Sequence, residues 1–270
     1  MPPDRAARIA HARSASGEEL KSLVHDSSEE ILLALLGNPN LEEPQVVLLL
    51  ERLDLPASVL GAVAGGGKWS SSEGVRLRLA RHPRTPKRFA LAAVRQLFLF
   101  DLVRLSLLPS APADIRRVAE EVILTRIPHL AIGEKLTLAR RGPSRVAGAV
   151  LAEGHQQAVK LALTNPFLTE SQVLKVLAKP GLPERVVAAI AQHPRWSYQY
   201  NVRIALVRHP HAPAAVVLAF LPQLTLGDLK QVARLEGLAP HLKKQFREEL
   251  LRRANIREEA ESGSAARGIG

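Results

Sequence analysis

Val202-Arg203-Ile204-Ala205-Leu206-Val207-Arg208-His209-Pro210 reads as one short helix with its stop attached. Pro210 cannot continue a helix, and Arg208 just before the stop complements the negative end of the helix dipole. The same phrase stands 127 residues earlier, where Val75-Arg76 and Arg81-His82-Pro83 hold the matching places. The match extends outward from it. Asn38-Pro39 recurs as Asn165-Pro166, Gln45-Val46 as Gln172-Val173, Leu55-Pro56 as Leu182-Pro183, Trp69-Ser70 as Trp196-Ser197, and Asp101-Leu102 as Asp228-Leu229. With 38–126 laid on 165–253 without a gap, about a third of the positions are identical, which predicts an internal duplication. Before Asn38 the likeness to 130–163 fades.

Within each copy, short apolar segments alternate with proline turns. Ile31, Leu32, Leu35 and Leu36 share one helical face, as do Val173, Leu174, Val176 and Leu177, and Val186, Val187, Ile190 and Ala191. Asn, His or Gly before Pro is expected to cap the preceding helix, Asn and Gly in the left-handed conformation. Ser27, Thr85, Ser144, Thr169 and Ser197 are placed as N-caps. Helices this short are marginal alone and bury their stripes only by stacking. Corresponding prolines, Pro39 and Pro83 or Pro166 and Pro210, lie 44 residues apart, room for about three short helices, as in armadillo or HEAT units. The expected fold is therefore all-α, an α-solenoid of short HEAT/armadillo-like repeats in two homologous halves. Residues 17–127 form the first half and 128–254 the second, with a flexible N-terminus over 1–16 and a disordered tail over 255–270. Gly65 to Ser72 is expected to be a flexible loop.

Composition narrows the function. The 270 residues are 46% hydrophobic but only 4% aromatic, so the core is aliphatic and an all-β fold is disfavoured. There is no cysteine, which excludes disulfides, thiolate metal sites and a Cys nucleophile. The longest apolar runs, Ile31 to Leu36 and Val46 to Leu50, are far short of the ~20 residues that span a bilayer, and Met1 to Arg13 has no apolar signal region. A cytoplasmic protein without membrane insertion is expected. The net charge is +11, but residues 1–54 carry ten acidic side chains against five basic ones, so the excess falls on the remainder. Such a bias suits nucleic acid, acidic proteins or anionic lipid, and it also serves solubility.

The Asn-Pro, His-Pro and Thr-Pro punctuation resembles bacterial HEAT-like and leucine-rich-repeat-variant α-solenoid proteins. The elements that carry the resemblance are Asn165-Pro166-Phe167-Leu168-Thr169-Glu170, the helix 202–210 quoted above, and Arg81-His82-Pro83-Arg84-Thr85-Pro86. It covers roughly residues 28–253 and implies architecture; such solenoids bind many different partners. The first half departs from it, with Glu42 in place of Thr169 and a Gly-rich loop before its Trp.

No catalytic motif is present. Gly65-Gly66-Gly67-Lys68 lacks phosphate-loop spacing, and no HExxH, GxSxG or EF-hand pattern occurs. Asp101 and Asp228 read as helix caps. His209-Pro210-His211, with His193, raises a metal site against a plain turn role. A non-enzymatic protein with neither metal nor cofactor is expected. Trp69 and Trp196 share one repeat position, which fits packing between helices as well as ligand stacking. Because Tyr198 and Tyr200 accompany only Trp196, these three are the candidate aromatic contacts. The candidate anion- or partner-binding residues are Arg76, Arg78, Arg81, Arg84, Lys87 and Arg88, which have no acidic residue between them, and Arg203 and Arg208 in the second copy. Arg76 and Arg203 form either a row for phosphates or an acidic partner, or a solvated helix face. The expectation is a scaffold binding a protein through its repeat surface. The alternative is a nucleic-acid binder with an Arg-rich face, DNA-glycosylase-like at its extreme.

Overall fold

The computed structural model describes residues 5–234 and 240–267, with 257–267 in backbone only. Among the described residues there are nineteen α-helices and no strand. The chain divides into two compact units, Met1–His129 and Leu130–Gly270. The first holds α1 (Arg5–Ser14), α2 (Glu18–Leu23), α3 (Glu29–Leu36), α4 (Glu43–Leu49), α5 (Ala57–Gly65), α6 (Glu73–Arg81), α7 (Lys87–Gln96), α8 (Leu99–Leu107) and α9 (Ala113–Arg126). The second holds α10 (Ile132–Arg141), α11 (Ser144–Glu153), α12 (Gln156–Leu163), α13 (Glu170–Leu177), α14 (Glu184–Gln192), α15 (Pro194–Ser197), α16 (Tyr200–Arg208), α17 (Ala214–Phe220), α18 (Leu226–Ala233) and α19 (Pro240–Arg267).

Most of these helices have ten residues or fewer, below the length that is stable alone, so tertiary burial has to hold them. The buried set is almost wholly Leu, Val, Ile and Ala, as the composition requires. In the first unit α1 packs on α3, α3 on α5, α4 on α6, α6 on α7, and α8 on α9. In the second unit α10 packs on α12, α12 on α14, α13 on α16, α16 on α17, and α18 on α19. In both units the principal packings join elements close in chain order.

Short helices create many ends, and each C-terminal end leaves carbonyls without an intrahelical donor. Side chains from about 25 to 30 residues further along supply those donors. The buried Asn38 side chain donates from Nδ2 to Ala12 O at 2.9 Å and Ala15 O at 3.0 Å, and its Oδ1 accepts from the Asn40 N–H at 2.8 Å. Asn165 does the same to Ala139 O (2.8 Å) and Gly142 O (3.0 Å), accepting from Phe167 N–H at 2.7 Å. Arg126 reaches Leu97 O and Arg95 O; Arg253 reaches Leu224 O and Pro222 O. Lys68 donates to Leu41 O and Arg195 to Leu168 O. Part of the basic excess is therefore structural: it serves helix ends and the turns that lead into α4 and α13.

Several local expectations change. His82 and Gly142 end their helices in extended backbone, and no non-glycine residue among the described ones has positive φ; the left-handed glycines are Gly17, Gly154 and Gly181. Asn38 and Asn165 act through their side chains, not through left-handed backbone. Pro56, Pro86, Pro112, Pro143, Pro183 and Pro213 stand at N-cap positions, so proline opens the next helix and displaces Thr85 and Ser144 from the cap. Thr169 does cap α13, accepting from Gln172 N–H at 3.3 Å.

The segments read as flexible are also structured where described. Gly67–Trp69 forms a 3-10 turn with Trp69 buried under Lys68. Within 1–16, α1 is tied down by the buried Ala12 and an Arg8–Asp26 ion pair at 2.7 Å. The tail expected to begin at 255 belongs to α19, which is helical through Arg267; nearer its start that helix buries Leu242 and Phe246 and pairs Glu249 with Arg252 and Arg253, one turn on. Residues 1–4 and 268–270 of those two segments lie outside the described residues.

Candidate functional site

In the first unit the arginine cluster is neutralised from within. Glu51, in the turn after α4, lies between two guanidinium groups: Arg78 Nε donates to one carboxylate oxygen at 2.8 Å and Arg81 to the other. Arg76 pairs with Glu73 at 3.3 Å and donates to Gln96 and to Ser71 O. Arg84 donates to Asp54 O at 2.9 Å, and Lys87 pairs with Asp114 at 2.8 Å. These last two carboxylates are held below the usual range, Asp54 by the hydrogen bond from Arg52 and Asp114 by that from Lys87. Arg88 stacks on Phe89 at 4.5 Å. No acid lies between these cations in sequence because Glu51 and Asp114 come from turns and helices well removed along the chain. At the root of the cluster His82 is buried. Its Nε2 donates to Arg52 O at 2.8 Å while its Nδ1 accepts the Arg84 N–H at 3.1 Å.

The second unit carries a different set at the same places. Glu51, Asp54, Arg78 and Arg84 correspond, 127 residues on, to Ala178, Gly181, Ala205 and His211. Where the first unit has a packed ion cluster, the second has a cleft of about 490 Å³ between the end of α13 and the end of α16. Its walls are apolar, with Leu174, Leu177 and Leu182 prominent, and its charged or polar lining is Lys179, Arg208, His209 and His211. No carboxylate lines it. Arg208, without a neighbour equivalent to Glu51, turns to Gln231 at 2.8 Å and to Asp228 at 3.4 Å, with 40% of its side chain exposed.

The two histidines are coupled. His209 Nδ1 accepts the His211 N–H at 3.1 Å and the rings lie 5.6 Å apart. Burial, then the charge of His211, pushes the His209 pKa down, so its ring is neutral at neutral pH. Gly181 in the cleft wall has φ +69° with open space around it, a backbone that favours glycine over the aspartate found in the first unit.

Of the remaining candidates, Arg203, Trp196 and Tyr200 are engaged in hydrogen bonds within the second unit. Arg203 donates to Ser197 O at 2.6 Å and Tyr198 O at 2.8 Å, and Arg76 donates to the corresponding Ser71 O. The Arg76/Arg203 row thus closes turns in each unit. Trp196 is 1% exposed, donates its indole N–H to Leu163 O at 2.9 Å and lies under Arg195 at 4.3 Å. Tyr200 donates to Asp228 at 2.6 Å and accepts from Thr225 N–H at 2.9 Å, joining α16 to α18. Hydrogen bonds from the Thr225 and Tyr200 hydroxyls hold Asp228 below its ordinary pKa. Tyr198 alone of the three aromatics stands at the surface, 78% exposed. His193 faces Trp196.

Among the described residues no group of three His, Cys, Asp or Glu side chains could hold a metal ion, and no helix is long and apolar enough to cross a membrane. Lys179 was not singled out by the sequence, and His209, Leu174 and Leu177 were read there only as a turn or metal candidate and as a buried helix face, not as parts of a cleft. The available signal was that Ala178 and Gly181 stand 127 residues after Glu51 and Asp54. No family model, curated protein or solved structure matches the chain.

Proposed function

We propose that the chain is a non-enzymatic α-solenoid of two homologous halves that holds a protein partner, and that the second unit supplies the docking surface for an acidic segment of that partner. Support for the architecture comes from matched element bounds, such as Glu73–Arg81 with Tyr200–Arg208, and from the Asn38 and Asn165 hydrogen bonds at the same offset. Packing between elements close in chain order is the contact pattern of stacked repeats.

The observation that carries the function is the difference in charge compensation. In the first unit Arg76, Arg78, Arg81 and Lys87 close on that unit's own carboxylates, whereas residues 130–234 carry thirteen basic side chains against five acidic ones and open an apolar-walled basic cleft. An extended phosphate backbone calls for a row of free cations, and the Arg76/Arg203 pair is engaged with backbone carbonyls. A localised cleft with apolar walls and a cationic rim favours a peptide carrying both charge and an apolar side chain.

The test is fluorescence anisotropy of labelled acidic peptides and of single- and double-stranded oligonucleotides at two salt concentrations. Peptide binding with a shallow salt dependence is expected. Oligonucleotide binding with a log–log salt slope near ~−5, the value for about six neutralised phosphates, and no peptide binding would overturn the reading.

A further inference from the structure

The first unit displays what the second lacks. Glu51 is a carboxylate held between Arg78 and Arg81, and Arg81 has Arg208 as its counterpart in the second unit. Its own counterpart is Ala178, an exposed residue on the wall of the 490 Å³ cleft. We infer that this cleft is a carboxylate-binding site, in which a Glu or Asp side chain of the partner takes the place that Glu51 fills in the first unit. This rests on the protein-scaffold reading above and names the site and the ligand group.

Three features define the occupant. Arg208 is the guanidinium that receives it; its present interaction with Asp228 is long, 3.4 Å, and leaves it substantially exposed, so a carboxylate arriving from solvent meets an accessible donor. Lys179, in the same lining, is exposed and has no carboxylate partner among the described residues, which makes it a second cation for the same charge. Leu174, Leu177, Leu182 and Pro210 supply an apolar wall, so the carboxylate comes with an apolar side chain adjacent to it. Asp228 is the one carboxylate on Arg208; hydrogen bonds from Tyr200 and Thr225 hold it on the α18 side and leave it outside the cleft lining.

The experiment uses the full chain and a fluorescein-labelled peptide, Ser-Leu-Glu-Glu-Leu-Ser, with its Gln-Gln counterpart as control. The Glu peptide is expected to bind and the Gln peptide to bind at least tenfold more weakly. Ala178→Glu rebuilds the closed arrangement of the first unit and should weaken the Glu peptide about tenfold or more while leaving the unfolding midpoint unchanged or raised. Lys179→Ala, at an exposed position, should weaken it several-fold with no change in fold.

Equal peptide affinity in the wild type, Ala178→Glu and Lys179→Ala would overturn the carboxylate site while leaving the scaffold reading standing. Oligonucleotide binding without peptide binding would overturn the scaffold reading itself. Should the peptide bind too weakly for anisotropy, N-acetylglutamate at millimolar concentration is titrated against the histidine NMR resonances. Shifts of His209 and His211 that vanish in Ala178→Glu support the site, and unmoved resonances overturn it.

Discussion

Removing the Asn165 side chain should cost the protein several hydrogen bonds at once. The residue is 1% exposed and makes three of them: two donated to Ala139 O and Gly142 O, one accepted from Phe167 N–H. Each is worth about 1 kcal/mol net, so Asn165→Ala should destabilise by about 3 kcal/mol, with the end of α10 and the turn after α12 losing their tie. For a chain of this size that corresponds to a fall in Tm of roughly 6 to 12 °C. Asn165→Asp keeps the shape and the acceptor for Phe167 but sets a carboxylate against two carbonyl oxygens. At pH 7 it should be worse than alanine, and it should recover towards pH 4 as the buried carboxyl protonates. Asn38→Ala should show a similar loss, because its three bonds are equivalent in length and burial. Urea unfolding followed by far-UV circular dichroism measures all three variants. A loss below about 1 kcal/mol for both alanine variants would refute the reasoning, since it would mean that these brackets are replaced by water without penalty.

Three further outcomes follow from the same structure. Trp196→Phe leaves Leu163 O without its buried donor and should cost about 1–2 kcal/mol, whereas Trp69, whose indole N–H has no hydrogen bond among the described residues, should tolerate Phe better; equal losses in urea titrations would contradict this. Gly154→Ala places a methyl at φ +78° and 3.0 Å from the Pro183 ring, so it should destabilise by about 1–2 kcal/mol, and an unchanged midpoint would remove the argument for a required glycine there. His82, His193 and His209 all have pKa values pushed down chiefly by burial, so the unfolded chain binds more protons than the folded one once the pH drops below about 7. Stability is therefore full above that point and falls as the pH drops below it, with a second loss below about pH 4 as Asp228 and Glu249 give up favourable partners. A urea midpoint that rises on going from pH 7 to 5.5 would show that the sign is wrong.

The helical class was legible because apolar residues at helical spacing and frequent prolines leave little room for anything else. Residues such as Val186, Val187, Ile190 and Ala191 do lie buried together on α14. Less legible was the chemistry of the arginines. A sequence window around Arg76 to Arg88 contains no acid, but Glu51 and Asp114 lie 25 or more residues away from their partners and are brought to them by the fold. Local spacing cannot see such pairs. The left-handed caps expected before proline failed for a related reason: the donors for the helix ends come from side chains such as Asn165 and Arg253, more than 25 residues further along the chain, so the backbone at those ends does not have to turn left-handed. The cleft of the second unit was hidden because it is made by substitutions to alanine and glycine, residues that advertise nothing on their own. It becomes visible in the sequence only when Ala178 and Gly181 are set against Glu51 and Asp54.

The two bracketing asparagines are each followed by proline, Pro39 and Pro166. Asparagine ages chemically when the next backbone nitrogen, after losing its proton, attacks the side-chain amide to form a succinimide that hydrolyses to aspartate. Proline has no backbone proton to lose. Where Asn165→Asp would set a negative charge against the carbonyls of Ala139 and Gly142, the neighbour that opens the following turn also blocks the ordinary route by which that change occurs spontaneously. The same dipeptide thus shapes the turn and preserves, over the lifetime of the molecule, the amide on which the turn depends.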